Sequence, residues 1–256
     1  MHESSMKRMG WFVNTFPKEE AKYNVLDVGS YDVNGSYKTL FDDTRFEYKG
    51  LDMEQGPNVD IVPATIYKWD EIKDNTYDIV ISGQALEHIE FFWLTVKEMV
   101  RVTKKDGYIC IIAPNGFKEH RYPVDCWRFF TDGMVALARY YDLEILHAHT
   151  NAAPTTKDTN WYSEDCADTI IVARKKYEGD ARIVDIRKYK CIPSDHKSLM
   201  GNFVDYNNYK ATKEQINKET KGNEQMKEKT ARGWARAISV GRKAKTKLSK
   251  ILKQRK

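Results

Sequence analysis

At 256 residues the chain can hold one large domain or a medium domain with an appendage. Its 41% hydrophobic share beside a 31% charged share marks a packed domain joined to a polar segment. From Lys227 to Lys256 twelve Lys or Arg oppose one acid, Glu228. That local +11 against a chain total of +5 leaves about −6 for the first 226 residues, so the basic balance belongs to the tail. Cys110, Cys126, Cys166 and Cys191 form no C-x-x-C pair, which argues against a zinc ribbon or a disulfide framework and for reduced thiols in the cytoplasm. The opening MHESSMKRMGWFVNTF lacks the apolar core of a signal peptide, and no stretch approaches the roughly 20 apolar residues of a membrane span.

In chain order, Glu3 to Thr15 predicts a short amphipathic helix on Met6, Met9, Phe12 and Val13. Strands follow at Asn24–Val28, Phe46–Leu51 and Val59–Val62, the last closed by Pro63. Tyr77–Ser82 (YDIVIS) is apolar and β-branched, as in strands buried inside parallel sheets. Ile89 to Thr103 repeats apolar residues at helical spacing, and Lys104-Lys105-Asp106-Gly107 reads as its end. Tyr108–Ala113 is a fifth strand, Asp132–Tyr140 a helix with Thr131 as its cap, and Leu143–Ala148 and Thr169–Ala173 the last two strands. Strands alternating with helices predict an α/β, Rossmann-like, seven-stranded, mostly parallel sheet with helices on both faces. The long polar connection 150–168 has no clear helix, so the last strand is expected to run antiparallel. The organisation is therefore a domain over 1–177, a polar extension over 178–226 and a basic amphipathic helix over 227–256.

Three motifs carry chemistry. After the first strand, Asp27-Val28-Gly29-Ser30 makes a glycine turn that lets a ligand approach the backbone, at the strand edge where open α/β sheets bind ligands. It is neither a G-x-G-x-x-G fingerprint nor a Walker loop. Asp52, at the end of the second strand, stands one βαβ unit later and can accept from both hydroxyls of a ribose. The third motif runs Tyr77-Asp78-Ile79-Val80-Ile81-Ser82-Gly83-Gln84-Ala85-Leu86-Glu87-His88-Ile89.

With these motifs in this order, residues 20 to 175 resemble a class I methyltransferase dependent on S-adenosylmethionine (SAM), of the small-molecule type. The matching features are the D-V-G-S turn, Asp52, Y-D-x-V, L-E-H-I and the helix end Glu98-Met99-Val100-Arg101-Val102. Asp32-Val33-Asn34-Gly35-Ser36, and the run from His120 through Arg121, Tyr122, Pro123, Val124, Asp125, Cys126, Trp127 and Arg128 to Phe129, are similar to bacterial methyltransferases found among cell-surface glycan genes. The resemblance implies SAM as cofactor, held by Asp27, Gly29, Ser30, Asp52, Met53, Ala64, Ser82 and Gln84. One departure stands out: many relatives place an acid just before Ala64, whereas this chain has Pro63, which leaves adenine recognition to backbone groups near Ala64 and Ile66.

An alcohol acceptor must lose a proton. The candidate bases are His120, whose loop is expected to border the methyl group, then Asp125, which can orient that histidine or take the proton itself, then His88. Arg121 and Arg128 are candidates for gripping an acidic group on the acceptor, and Tyr122 and Trp127 for stacking on a sugar; Trp127 and Phe129 read equally well as core. No metal-ligand spacing recurs among His88, Glu119, His120 and Asp125, so no metal is expected. The tail places Trp234, Ile238, Leu248 and Leu252 on one face of a basic helix, a type that lies on anionic membranes; phosphate-backbone binding and docking to a partner are its rivals. The expected partners are thus a small-molecule or glycan acceptor and an anionic membrane surface rather than nucleic acid, with a cytoplasmic location on the inner membrane face. The leading function is O-methylation of a sugar in surface-glycan synthesis. An RNA or protein methyltransferase and a non-catalytic SAM-binding scaffold are the alternatives.

Overall fold

The computed structural model describes residues 3–18, 21–116, 118–150 and 167–185. Six strands form one sheet among them: β1 (Tyr23–Val28), β2 (Phe46–Leu51), β3 (Tyr77–Gly83), β4 (Thr103–Gly116), β5 (Glu144–Thr150) and β6 (Ala167–Arg174), in the order β2-β1-β3-β4-β6-β5. Strands β2, β1, β3 and β4 run parallel, in registers such as Val28↔Leu51 and Val28↔Ser82. The last strand, β6, is antiparallel to both its neighbours, as the long connection before it predicts.

Alternation along the central strands explains their unbroken apolar sequence. Val80, Ile109 and Ile111 face a core with helices α2 (Phe92–Val102) and α3 (Thr131–Tyr140). Ile79, Ile81, Cys110 and Ile112 face the opposite core, where helix α1 (Glu3–Thr15) lays Met9, Phe12 and Val13 on the sheet. Met9 and Phe12 are fully buried, each contributing about 1.5–3 kcal/mol.

Four local expectations change. The predicted strand Val59–Val62 is reduced to a single parallel bridge, Leu51↔Ile61, which brings the sheet from seven strands to six. Pro57 and Pro63 flank it, and Asn58 turns the chain at φ 67, so no ladder extends beyond that point. Between β1 and β2 the described chain makes only a 3-10 turn, Tyr37–Phe41. Helix α2 ends at Val102, where the Thr103 hydroxyl donates to the Met99 carbonyl (2.6 Å). Lys104-Lys105-Asp106-Gly107 is instead the bulged start of β4, with Asp106 at φ 62. Thr131 is the first helical residue of α3 rather than its cap, and its hydroxyl pairs with that of Thr150 at 2.7 Å.

Past residue 177 the chain still packs on the domain, the Val184 N–H donating to the Tyr140 carbonyl at 3.0 Å. The rest of the expected extension, from 186, and the whole basic helix over 227–256 lie outside the described residues. Among the described residues no helix is long and apolar enough to cross a membrane.

Candidate functional site

The parallel strands end on one edge of the sheet, and the candidate residues gather there. Gly29 follows β1 with φ +81, and a Cβ on it would lie 2.3 Å from that of Ala85. Only glycine lets the ends of β1 and β3 approach this closely. Asp52 closes on the same turn: its carboxylate accepts from the Tyr31 N–H at 3.0 Å and the Met53 N–H at 2.7 Å. Each carboxylate oxygen has a second lone pair, so both can still accept from a ligand hydroxyl. The fold therefore brings Asp27, Gly29, Ser30, Asp52 and Met53 together.

Two of the predicted cofactor residues act as fasteners. The Ser30 hydroxyl donates to the Asn58 carbonyl (3.0 Å), and the buried Ser82 hydroxyl donates to the Val28 carbonyl (2.8 Å). Asp27 is buried and accepts from the Tyr48 hydroxyl, and burial pushes its pKa up to about 7. Ala64 lies on the exposed loop after Ile61, whose carbonyl accepts from the Asp52 N–H at 3.1 Å. The Glu71 carboxylate accepts from the Ala64 N–H at 3.4 Å.

Beneath the first two turns of α1 is a buried polar cluster that sequence reading missed. Arg8 is fully buried, its guanidinium 3.8 Å from Asp168. Asp168 also accepts from the Ser4 hydroxyl (2.6 Å) and the Gln84 amide (2.9 Å), while the Ser5 and Tyr37 hydroxyls pair at 2.5 Å. Gln84 takes φ 56 just past β3, and its buried Oε1 has no hydrogen-bond partner. A legible signal existed: Ser5 and Arg8 occupy the same helical stripe as Met9 and Phe12, where polar residues are out of place unless paired.

The second group surrounds the 3-10 turn Leu86–His88. The Cys126 and Trp127 N–H groups donate to the Glu87 carbonyl (2.7 and 3.3 Å), and the Trp127 indole donates to the Ile89 and Glu90 carbonyls, both 3.1 Å. This clamps the loop after β4 onto the turn, and the rings of His88 and His120 meet edge-on with centroids 5.0 Å apart. His88 Nδ1 lies 2.5 Å from the Val124 carbonyl, and burial lowers its pKa. Tyr122 flanks His88 at 6.4 Å and stays open to solvent.

Asp125 accepts from the His120 N–H (2.7 Å) and takes a bidentate pair from Arg128 (2.5 and 2.7 Å). That guanidinium holds the Asp125 carboxyl well below the usual range, which makes it a fixed anion orienting His120 rather than a proton acceptor. Arg128 is thereby engaged with Asp125. Arg121 is exposed and pairs with Glu119 at 2.9 Å. Phe129 is core, whereas Trp127 is partly exposed.

Residues 34–111 match the methyltransferase domain family, a span that includes Asp52, Glu87 and His88. No curated protein matches by sequence. Among solved structures, a 1,6-didemethyltoxoflavin N1-methyltransferase of Burkholderia thailandensis aligns with TM-score 0.51 and 14% identity, over 68% of this chain and 80% of that one. A SAM-dependent methyltransferase of Methanosarcina mazei aligns with TM-score 0.48 and 13% identity, over 65% of this chain and 98% of that one. Over residues 34–111 the chain is thus similar to the methyltransferase domain family, and its sheet has the Rossmann-like fold of class I, SAM-dependent methyltransferases.

Proposed function

We propose that this methyltransferase methylates a hydroxyl of a sugar or sugar-related acceptor in bacterial cell-surface glycan synthesis. The observation that carries the reading is the His88–His120 pair. It stands with solvent-open Tyr122 on the strand edge that holds the Gly29–Asp52 turn. The cofactor-side residues fit SAM. Asp52 keeps lone pairs for ribose hydroxyls, and Gln84, just past the end of β3, holds a buried Oε1 without a hydrogen-bond partner. Gly29, Asp52 and Met53 would hold the nucleoside, with Ala64 and Glu71 beside the base. SAM supplies a methyl group already activated by its positively charged sulfur.

The chain's own residues then orient the acceptor and exclude water, an effect on the order of 7 kcal/mol or more. His120 Nδ1 lies 3.1 Å from the Lys118 carbonyl and 3.4 Å from Asp125, which favours the proton on Nδ1 and makes Nε2 the accepting nitrogen. An imidazole in that tautomer can take the acceptor's proton at Nε2. Tyr122 and Trp127 offer partly open aromatic faces suited to a sugar ring.

The test is calorimetric titration with SAM and S-adenosylhomocysteine, followed by methyl-transfer assays on nucleotide-linked and lipid-linked sugars. His120→Asn should bind S-adenosylhomocysteine like the parent and turn over about 100-fold more slowly or worse. Failure to bind either compound would overturn the reading. Binding without turnover of any sugar would remove the glycan acceptor and leave the cofactor.

A further inference from the structure

Glu87 occupies an unusual place for a carboxylate. Its side chain is fully buried, and neither oxygen has a hydrogen-bond partner. A buried charge without donors costs several kcal/mol unless a cation faces it. The groups beside it are two imidazoles. His88 Nε2 stands 3.7 Å from Glu87 Oε1, beyond hydrogen-bond reach, and one ligand atom each of Glu87, His88 and His120 lie within 4.8 Å of one another.

We infer that Glu87, His88 and His120 form a binding site for a divalent transition-metal ion of the zinc class. Both histidines are prepared alike. Nδ1 of His88 lies against the Val124 carbonyl and Nδ1 of His120 against the Lys118 carbonyl, which places the proton on Nδ1 and the lone pair on Nε2. A backbone carbonyl on the remote nitrogen is the usual outer-shell support of a metal-bound histidine. Asp125, fixed by Arg128, holds the His120 backbone in turn.

Two imidazoles and one carboxylate suit zinc and its first-row neighbours, whereas magnesium and calcium take all-oxygen sets. Three protein ligands leave a position open, the pattern of catalytic rather than structural sites. Ligands at about 2.0–2.2 Å from a shared zinc ion stand about 3.4 Å apart. The 4.8 Å spread is wider than that, so ion binding would draw in His120, whose side chain is 30% exposed. Sequence spacing concealed the set: Glu87 and His88 are adjacent, and His120 comes from a different loop.

The consequence rests on the methyl-transfer reading; the binding does not. A bound ion would occupy the His120 Nε2 lone pair, so the cation would take over the proton-removing role that the imidazole has in the metal-free protein. An acceptor hydroxyl in the open position is acidified by the cation, and its O–H bond breaks with release of the proton to water.

The experiment is titration of the EDTA-stripped, full-length protein with Zn²⁺ by calorimetry, and with Co²⁺ followed by its visible absorption. One equivalent should bind. Glu87→Gln and His120→Asn should each weaken binding at least tenfold, while Glu54→Gln, an exposed acid elsewhere, should bind like the parent. Lack of stoichiometric uptake, or uptake unchanged in both site variants, overturns the inference. Glu87→Gln is nearly isosteric and His120 sits on a partly exposed loop, so a fold lost in one variant leaves the other decisive. Titration of the stripped protein with S-adenosylhomocysteine separates the two readings. Cofactor binding without metal uptake removes only the metal site, and metal uptake without cofactor binding removes only the methyltransferase reading.

Discussion

Asp52 is the residue on which the proposed cofactor reading leans most. It already accepts two backbone N–H groups, which fix its carboxylate against the Tyr31 turn and leave lone pairs for a ribose. Asp52→Ala removes a charged, bidentate acceptor, and S-adenosylhomocysteine should bind more than tenfold more weakly by calorimetry; unchanged affinity would contradict the assignment. Asp27 supplies a pH dependence. Its folded pKa of about 7 lies above the ordinary 3.8, so the folded state holds its proton where the unfolded chain has lost it. That contribution is complete below about 3.8 and is lost as pH rises to about 7. Asp27→Asn cannot titrate, so its Tm relative to the parent should climb across that window. A constant Tm difference would contradict the shift.

At the scale of elements, the long segment between β2 and β3 is secured by polar contacts rather than by a helix. Arg101 on α2 donates to Glu98 (2.7 Å), Asp74 (2.7 Å) and the carbonyls of Ile72 and Trp69 (both 2.8 Å). Glu98 accepts in turn from the Trp69 N–H at 2.8 Å. Arg101→Met would strand the mostly buried Glu98, so unfolding in urea should show a loss of about 3 kcal/mol. A loss under about 1 kcal/mol would contradict the central role of Arg101. This segment also shows where local reading stops. The stripe Met9-Phe12-Val13 located α1, and the apolar run YDIVIS located β3, because burial on one or both faces leaves its period in the chain. The run Val59–Val62 has the same apolar look, yet its flanking prolines and the left-handed Asn58 limit it to one bridge.

At the scale of the molecule, the charge separation in the sequence calls for its own test. The basic segment 227–256 lies outside the described residues, and the anchor reading rests on its composition alone. Deleting it should abolish sedimentation with anionic vesicles and leave methylation of a soluble acceptor unchanged. Vesicle binding that survives the deletion would rule out the anchor.

The sequence by itself determined the class: the α/β alternation, the antiparallel last strand, the glycine turn and the acid one βαβ unit later are local or evenly spaced, and short-range sterics and burial write them directly into the chain. Tertiary structure alone decided which polar side chains meet. Arg8 reaches Asp168 across 160 residues, Glu87 is stripped of water between elements far apart in sequence, and His120 arrives beside His88 because the loop after β4 folds back on the Glu87 carbonyl. A polar residue's role depends on the partner and the dielectric that packing assigns to it, and neither has a period that a sequence can display.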